Sequence, residues 1–308
     1  MSEEKPDILF ISASPRRKTS VALVGLLEQG AQKAGARTQH FFLSEKHIDP
    51  CTGCGYCEKT GICVLTKRTQ DGHFADDYLE LTAVLERVGA LGIVAPVYFA
   101  GPCSQFKALM DRFQPYYSQR YVLGQKPLPK RPAHLYVVGG GDAHGFAPLA
   151  GIVRSAFNVA GFSLEKVHDF IGFEAAREAA KLSKEDDIEQ CQPAQLVQMR
   201  RAAAQKQEFE ERALSAGGAF ARYVVKQQEA DALSAQLEEL KAELEVLKSV
   251  GDEPRKESPA ERAPVLGARD EIEFEYFNLI HNKGKGAAVP VDVDSAAAAA
   301  AIDEGDVG

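Results

Sequence analysis

ILFISASPRRKTS, residues 8–20, decides the fold. Its opening residues, ILFIS at 8–12, form a continuous apolar run of strand length, the pattern of a strand buried on both faces. From Thr19 the period changes: Leu23, Val24, Leu27 and Ala31 fall on one face of a helix over 19–34. A buried strand passing through a short loop into an amphipathic helix opens a parallel α/β unit. The connecting stretch SASPRRKTS lies where an open α/β sheet receives a phosphate. The helix N-terminus offers unpaired amides and the positive end of a dipole, and Ser14, Thr19 and Ser20 add hydroxyls. Arg16, Arg17 and Lys18 oppose that dipole unless an anion lies among them. The plainer alternative is a serine-capped helix with a basic first turn. The stretch matches neither G-x-G-x-x-G nor a P-loop, which disfavours a nicotinamide dinucleotide site and an NTPase.

The same alternation continues along residues 1–180. HFFL at 40–43 is a second strand, and a helix over about 71–88 carries Phe74, Tyr78, Leu81, Leu85 and Val88. ALGIVAPV, ending at Pro96, is a third strand, and the helix after it carries Phe106, Leu109, Met110 and Phe113. HLYVVGG is a fourth strand, Leu149, Ile152, Val153, Ala156, Phe157 and Ala160 mark a helix, and a fifth strand lies near 165–173. Five strands with intervening helices predict a flavodoxin-like doubly wound parallel sheet of order 2-1-3-4-5. Ser183, with Asp186 three residues on, is a candidate cap for the next helix.

Residues 181–250 form a helical extension, with a break expected near Gly217 and Gly218. Leu233, Leu237, Leu240, Leu244 and Leu247 recur at steps of four and three, a short coiled-coil seam or a helix packed on its own domain. Residues 251–308 comprise a charged linker to 264, a short aromatic segment EIEFEYFNLI and an Ala-rich acidic tail whose composition predicts disorder.

Between the second strand and second helix lies CTGCGYCEKTGIC, within a loop at 50–64. Cys51, Cys54, Cys57 and Cys63 are soft donors spaced so that three thiolates converge and a fourth closes the site, the pattern of a [4Fe–4S] loop. Gly53, Gly55 and Gly61 supply the positive φ that so tight a path requires. Zinc and an unmetallated loop stay open, although structural zinc sites usually pair two knuckles and only Cys103 and Cys191 remain elsewhere.

A net charge of -8 argues against a nucleic-acid partner, and no apolar run is long enough to span a membrane. The start, MSEEKPDILFISAS, does not read as a signal peptide. A cytoplasmic location is expected, where clustered cysteines stay reduced and bind metal.

Residues 7 to about 175 resemble the NADPH-dependent FMN reductase family of flavodoxin-fold proteins, and the cysteine loop makes the chain similar to its iron-sulfur flavoprotein branch. The resemblance rests on 12–20, on APVYFAGPCSQFKALMDR at 95–112 and on GGGDAHG at 139–145. It implies FMN contacts from Ser12, Ser14, Arg16, Thr19 and Ser20 at the phosphate. It implies ring contacts from Pro96, Val97, Tyr98 and Phe99, with Gly139, Gly140, Gly141 and Asp142 approaching from the other side. Lys107, Asp111 and Arg112 read as structural, and His144 as a solvent-facing neighbour. Ala13 stands where the family often has glycine, and Cys103 where small or polar residues are usual. Cys103 reads as a packed thiol rather than a fifth ligand.

The resulting expectation is an FMN-dependent oxidoreductase exchanging electrons between a [4Fe–4S] cluster and FMN. The cluster loop and the flavin are expected to share the C-terminal edge of the sheet. The electron donor or acceptor is a small molecule or a protein such as ferredoxin, and the resemblance implies a homo-oligomer that brings one subunit's cluster towards another's flavin. The alternatives are an NAD(P)H-dependent FMN or quinone reductase without a cluster, with NAD(P)H as donor, and a zinc-stabilised scaffold.

Overall fold

The computed structural model describes residues 7–66, 76–139, 145–185 and 193–251. Strand β1 (Asp7–Ser12), helix α1 (Thr19–Lys33) and strand β2 (Arg37–Phe42) come first. A 3₁₀ turn at Leu43–Glu45 leads into the cysteine segment, which holds the short helix α2 (Tyr56–Thr60) and a second 3₁₀ turn at Val64–Thr66. Helix α3 (Tyr78–Leu85), strand β3 (Ala90–Pro96), and helices α4 (Ser104–Asp111) and α5 (Gln114–Tyr121) follow. Strand β4 (Arg131–Gly139), helix α6 (Phe146–Val159), strand β5 (Phe162–Ile171) and helices α7 (Phe173–Glu185) and α8 (Pro193–Gly251) complete the described chain.

All five strands pair in parallel in the order β2-β1-β3-β4-β5, as the alternating pattern predicts. The period-2 geometry of a strand sends neighbours to opposite faces. Leu9, Ile11, Leu91, Ile93, Leu135 and Val137 therefore build one core with Leu81 of α3, Phe106 of α4 and Val153 of α6. Ile8, Phe10, Ala90, Val94, Tyr136 and Val138 build the other with Leu23 and Leu27 of α1 and Phe173 of α7.

Several boundaries move. β2 is longer than HFFL, and Leu43, buried, begins the 3₁₀ turn instead of ending the strand. β5 starts earlier than 165 and stops at Ile171, because Gly172 at φ 83° turns the chain and Phe173 already belongs to α7. Phe113 does not close α4. It is the N-cap residue of α5, a helix with Pro115 in its first turn that the sequence reading did not separate. Ser183 lies inside α7, so it caps no following helix.

No break occurs at Gly217 and Gly218. The helix runs straight through, because the glycines serve a close crossing with α1. A Cβ on Gly217 would stand 2.1 Å from the Leu27 carbonyl oxygen, and one on Gly30 would stand 2.0 Å from that of Leu214. Two backbones in such contact leave no room for side chains. The crossing seats Ala213, Phe220, Ala221 and Val224 in the second core.

The chain divides into two compact units, Met1–Lys226 and Gln227–Gly308. In the second, Leu237 is buried, Leu240, Leu244 and Leu247 are half-buried, and Leu233 is exposed. Among the described residues no helix is long and apolar enough to cross a membrane. Phe74, Asp186, Cys191, the linker, the aromatic segment and the acidic tail lie outside the described residues.

Candidate functional site

Two cavities carry the polar and sulfur chemistry. The first, about 100 Å³, is lined by Ser14, Arg16, Lys18, Thr19 and Ser20 at the start of α1, by Pro96, Val97 and Tyr98 after β3, and by Val138, Gly139 and Glu174. It is well below the roughly 300 Å³ at which ligand pockets begin, a volume suited to a phosphate end rather than a whole nucleotide. Lys18, the N-cap residue of α1, makes no side-chain cap, and the first turn holds no acidic residue. The amides at that end therefore lack a side-chain acceptor, the condition that attracts an anion.

Ser14, Thr19 and Ser20 are buried, and the Ser14 hydroxyl accepts from the Arg16 backbone N–H at 3.1 Å, shaping the turn. Ser12, also buried, lies outside the lining, and its hydroxyl has no hydrogen-bond partner among the described residues. Arg17 leaves the site for an ion pair with Glu45 at 2.8 Å. Glu174, the acidic residue in the first turn of α7, enters the lining unannounced by any motif.

Tyr98 and Gly101 close a tight turn by exchanging backbone hydrogen bonds of 2.8 and 3.0 Å. Phe99 and Ala100, between them, take φ of 49° and 58°, the sign a type I′ turn requires at both central positions. A side chain held there costs on the order of 1–3 kcal/mol, so surrounding packing must impose it. Gly145 supplies part of that packing, since a Cβ there would lie 2.3 Å from Val97 Cγ1 and 3.1 Å from the Ala100 Cα. Phe99 sits fully exposed at the turn tip and does not line the cavity. Gly140, Gly141, Asp142 and His144 lie outside the described residues.

The two residues that depart from the family pattern meet each other: the Cys103 thiol donates to the Ala13 carbonyl at 3.0 Å. Cys103 is buried at the start of α4, and burial pushes its pKa up, as expected for a packed thiol. Lys107 pairs with Asp111 at 2.5 Å on the surface.

The second cavity, about 320 Å³, is lined by Cys51, Cys54, Cys57 and Cys63 together with Asp111, Arg112, Gln114 and Pro115. Gly53, Gly55 and Gly61 take φ of 67°, 68° and 71°, the left-handed geometry the spacing predicts. Gly55 and Gly61 cap α2 at its two ends. α5 buttresses the loop, with the Gln119 amide donating to the Gly61 carbonyl at 2.8 Å. All four cysteines are free thiols, Cys51 and Cys54 exposed and Cys57 and Cys63 half-buried. Among the described residues no three His, Cys, Asp or Glu gather around one metal ion.

Arg112, read as structural, is wholly buried beside this loop. Its Nη1 donates to the Asp49 carbonyl at 3.0 Å and to the buried Asp76 carboxylate. Its guanidinium lies 4.4 Å from the Tyr78 ring centre, and the Tyr78 hydroxyl donates to the Arg112 carbonyl at 2.7 Å. Burial opposes its charge, but the Asp76 hydrogen bond, the charges of Cys63 and Asp76 and the close approach of the Cys63 sulfur outweigh it and push the pKa up.

The two cavities share no lining residue. The chain after β2 is held at Leu43 and Lys46, whose carbonyls accept from Gln105, and at Asp49, whose carbonyl accepts from Arg112. Cys103 thus ties one end of α4 to the loop between β1 and α1, while Arg112 places the other end in the cysteine cavity. Eight residues at 1.5 Å each separate those ends by about 12 Å.

The sequence model of the NADPH-dependent FMN reductase family matches residues 6–166. An iron-sulfur flavoprotein of Archaeoglobus fulgidus is 34% identical over 105 residues, 34% of this chain and 49% of that protein. One of Methanocaldococcus jannaschii is 30% identical over 109 residues, 35% of this chain and 52% of that protein. The chain thus spans about half the length of these curated relatives. A solved NAD(P)H:quinone oxidoreductase from Methanothermobacter marburgensis overlays with TM-score 0.44 at 17% identity, covering 70% of this chain and 96% of that one.

Proposed function

The chain belongs to the NADPH-dependent FMN reductase family, and from that premise we propose that it is an FMN-dependent oxidoreductase of the iron-sulfur flavoprotein type, exchanging electrons between a [4Fe–4S] cluster and FMN. The observation that carries the reading is the pairing of an uncapped, basic helix N-terminus with a second cavity lined by four free cysteines at the far end of α4. FMN supplies two-electron and one-electron chemistry when bound, and the cluster single electrons, while the protein supplies position and charge.

For FMN, the amides of α1, the hydroxyls of Ser14, Thr19 and Ser20 and the charges of Arg16 and Lys18 fit a phosphate. The strained Tyr98–Gly101 turn, with Pro96 and Val97, would fix where the ring lies. For the cluster, the donor set is four thiolates, and the cavity they line suits an object that gives each thiolate its own iron. A single tetrahedral zinc ion would instead need the sulfurs within about 2.3 Å of one point. The donor or acceptor, small molecule or ferredoxin-like protein, and a homo-oligomeric assembly belong to the same proposal.

Anaerobic purification followed by iron, sulfide and flavin analysis and visible spectra before and after reduction tests it. FMN together with iron and sulfide, and a broad band that bleaches on reduction, is the expected result. FMN without iron, rapidly reduced by NADPH, would leave a cluster-free reductase, which Arg16 and Lys18 beside the site would suit. A protein that takes up neither cofactor overturns both.

A further inference from the structure

Arg112 has more donors than its surroundings use. A guanidinium carries five N–H groups. Its Nη1 serves the Asp49 carbonyl and the Asp76 carboxylate, while Nε and Nη2 are buried and have no oxygen acceptor among the described residues, the Cys63 sulfur being the group close enough to act on the guanidinium. Buried donors are nearly always satisfied, so two on one charged side chain call for an explanation. That side chain lines the cavity holding the four cysteines. Its position is imposed from behind: Asp76 is itself held by the backbone N–H groups of Asp49 at 3.0 Å and Tyr78 at 3.2 Å, and the Tyr78 ring lies against the guanidinium.

We propose that Arg112 is a positioning residue for the cluster, donating its Nε–H and Nη2–H to sulfur on the Cys63 side of the cavity and so raising the cluster's reduction potential. The inference rests on the cluster reading above. A four-iron centre ligated by four thiolates is anionic and becomes more so on reduction, so buried donors aimed at its sulfurs favour the reduced form. Hydrogen bonds to sulfur are among the factors that set such potentials. The Asp76 carboxylate offsets much of the net positive charge at a distance, which leaves the directional N–H groups as the residue's contribution.

The test is an EPR-monitored redox titration of the intact holoprotein and of Arg112→Lys, with the flavin of each sample as internal control. Lysine keeps the charge opposite Asp76 but not the planar fork. The expected result is unchanged FMN content and flavin potential, with the cluster's reduction equilibrium lowered at least tenfold, which is 59 mV for a one-electron couple. An unchanged cluster potential in a fully loaded variant overturns the proposal. Because Arg112 is buried, that variant can fail to fold, so a second measurement uses the unaltered sequence. Wild-type protein carrying ¹⁵N in its arginine guanidinium groups is reduced and examined by ENDOR. A ¹⁵N coupling to the cluster is expected, since Arg112 is the arginine that lines this cavity among the described residues. No coupling overturns the proposal. Wild-type protein that binds FMN but no iron or sulfide removes the cluster reading itself, an outcome distinct from a loaded cluster indifferent to Arg112.

Discussion

At the scale of single residues, the two cavities are built from different sets of side chains, and separate loss follows. Cys54 lines the cysteine cavity and is absent from the lining of the cavity at the start of α1. Cys54→Ser is expected to abolish bound iron and sulfide while FMN content stays at the wild-type level, read by flavin fluorescence after heat release beside iron analysis. Loss of both cofactors from a folded variant would contradict separate sites. A second residue-scale expectation concerns His134 and His168, whose rings meet at 3.2 Å between Nδ1 and Nε2. Burial, then His168 and Lys166, pushes His134 down to about 3. Burial, then Lys166 and Arg212, pushes His168 down to about 4. The unfolded chain takes up both protons near pH 6.5, whereas the folded chain resists until far lower pH. Stability is therefore full above about pH 6.5 and falls as pH drops from there towards 4. The urea midpoint should be lower at pH 5 than at pH 7, and the gap should narrow in His134→Gln/His168→Gln. An equal gap in that variant would assign the pH dependence to other groups.

At the scale of elements, the crossing of α1 and α8 shows how a residue type misleads when read locally. Glycine inside a helical pattern weakens the helix by about 1 kcal/mol relative to alanine, which makes a break the natural reading. Here Gly30 and Gly217 instead allow backbones to touch, with clearances of 2.0 and 2.1 Å for an added Cβ. Gly217→Ala gains about 1 kcal/mol of helix propensity but forces the helices apart against backbone atoms that cannot rotate aside. Overpacking of this kind costs about 1–3 kcal/mol and loosens every side chain along the crossing. A net loss of up to about 2 kcal/mol in urea unfolding is expected, and a gain in stability would show that the two helices do not meet there. α5 is the other element whose role lies in tertiary contact. Its sequence, QPYYSQRY, carries no cofactor motif, yet Gln119 holds Gly61 and Gln114 and Pro115 wall the cysteine cavity.

At the scale of the whole molecule, the second face of the sheet is completed from far along the chain. Phe220 and Val224 of α8 are fully buried with Ile8, Phe10, Tyr136 and Phe170. Fully burying a side chain of this size contributes about 1.5–3 kcal/mol. Removing these two alone would take about 3–6 kcal/mol from a total of about 5–15. A chain ending at residue 185 should be insoluble or unfolded, whereas one ending at Lys226 should stay folded and retain FMN, checked by circular dichroism and flavin content. A soluble, flavin-loaded product from the shorter chain would show that the sheet does not depend on α8.

The sequence by itself determined the parallel sheet, its strand order and the two stretches that line the cavities. Those signals are local or periodic: period-2 and helical spacing, three glycines among four cysteines, and hydroxyl and basic residues between a strand and a helix. Tertiary structure alone decided that Arg112 brings buried donors beside the cysteine cavity, that Cys103 meets Ala13, that Phe99 stands out of the cavity at the start of α1, and that Asp49, in the chain leading to the cysteines, is held by Arg112 at the end of α4. Each depends on contacts between residues distant in the chain. A glycine reads as a break until the residues packed against it are known.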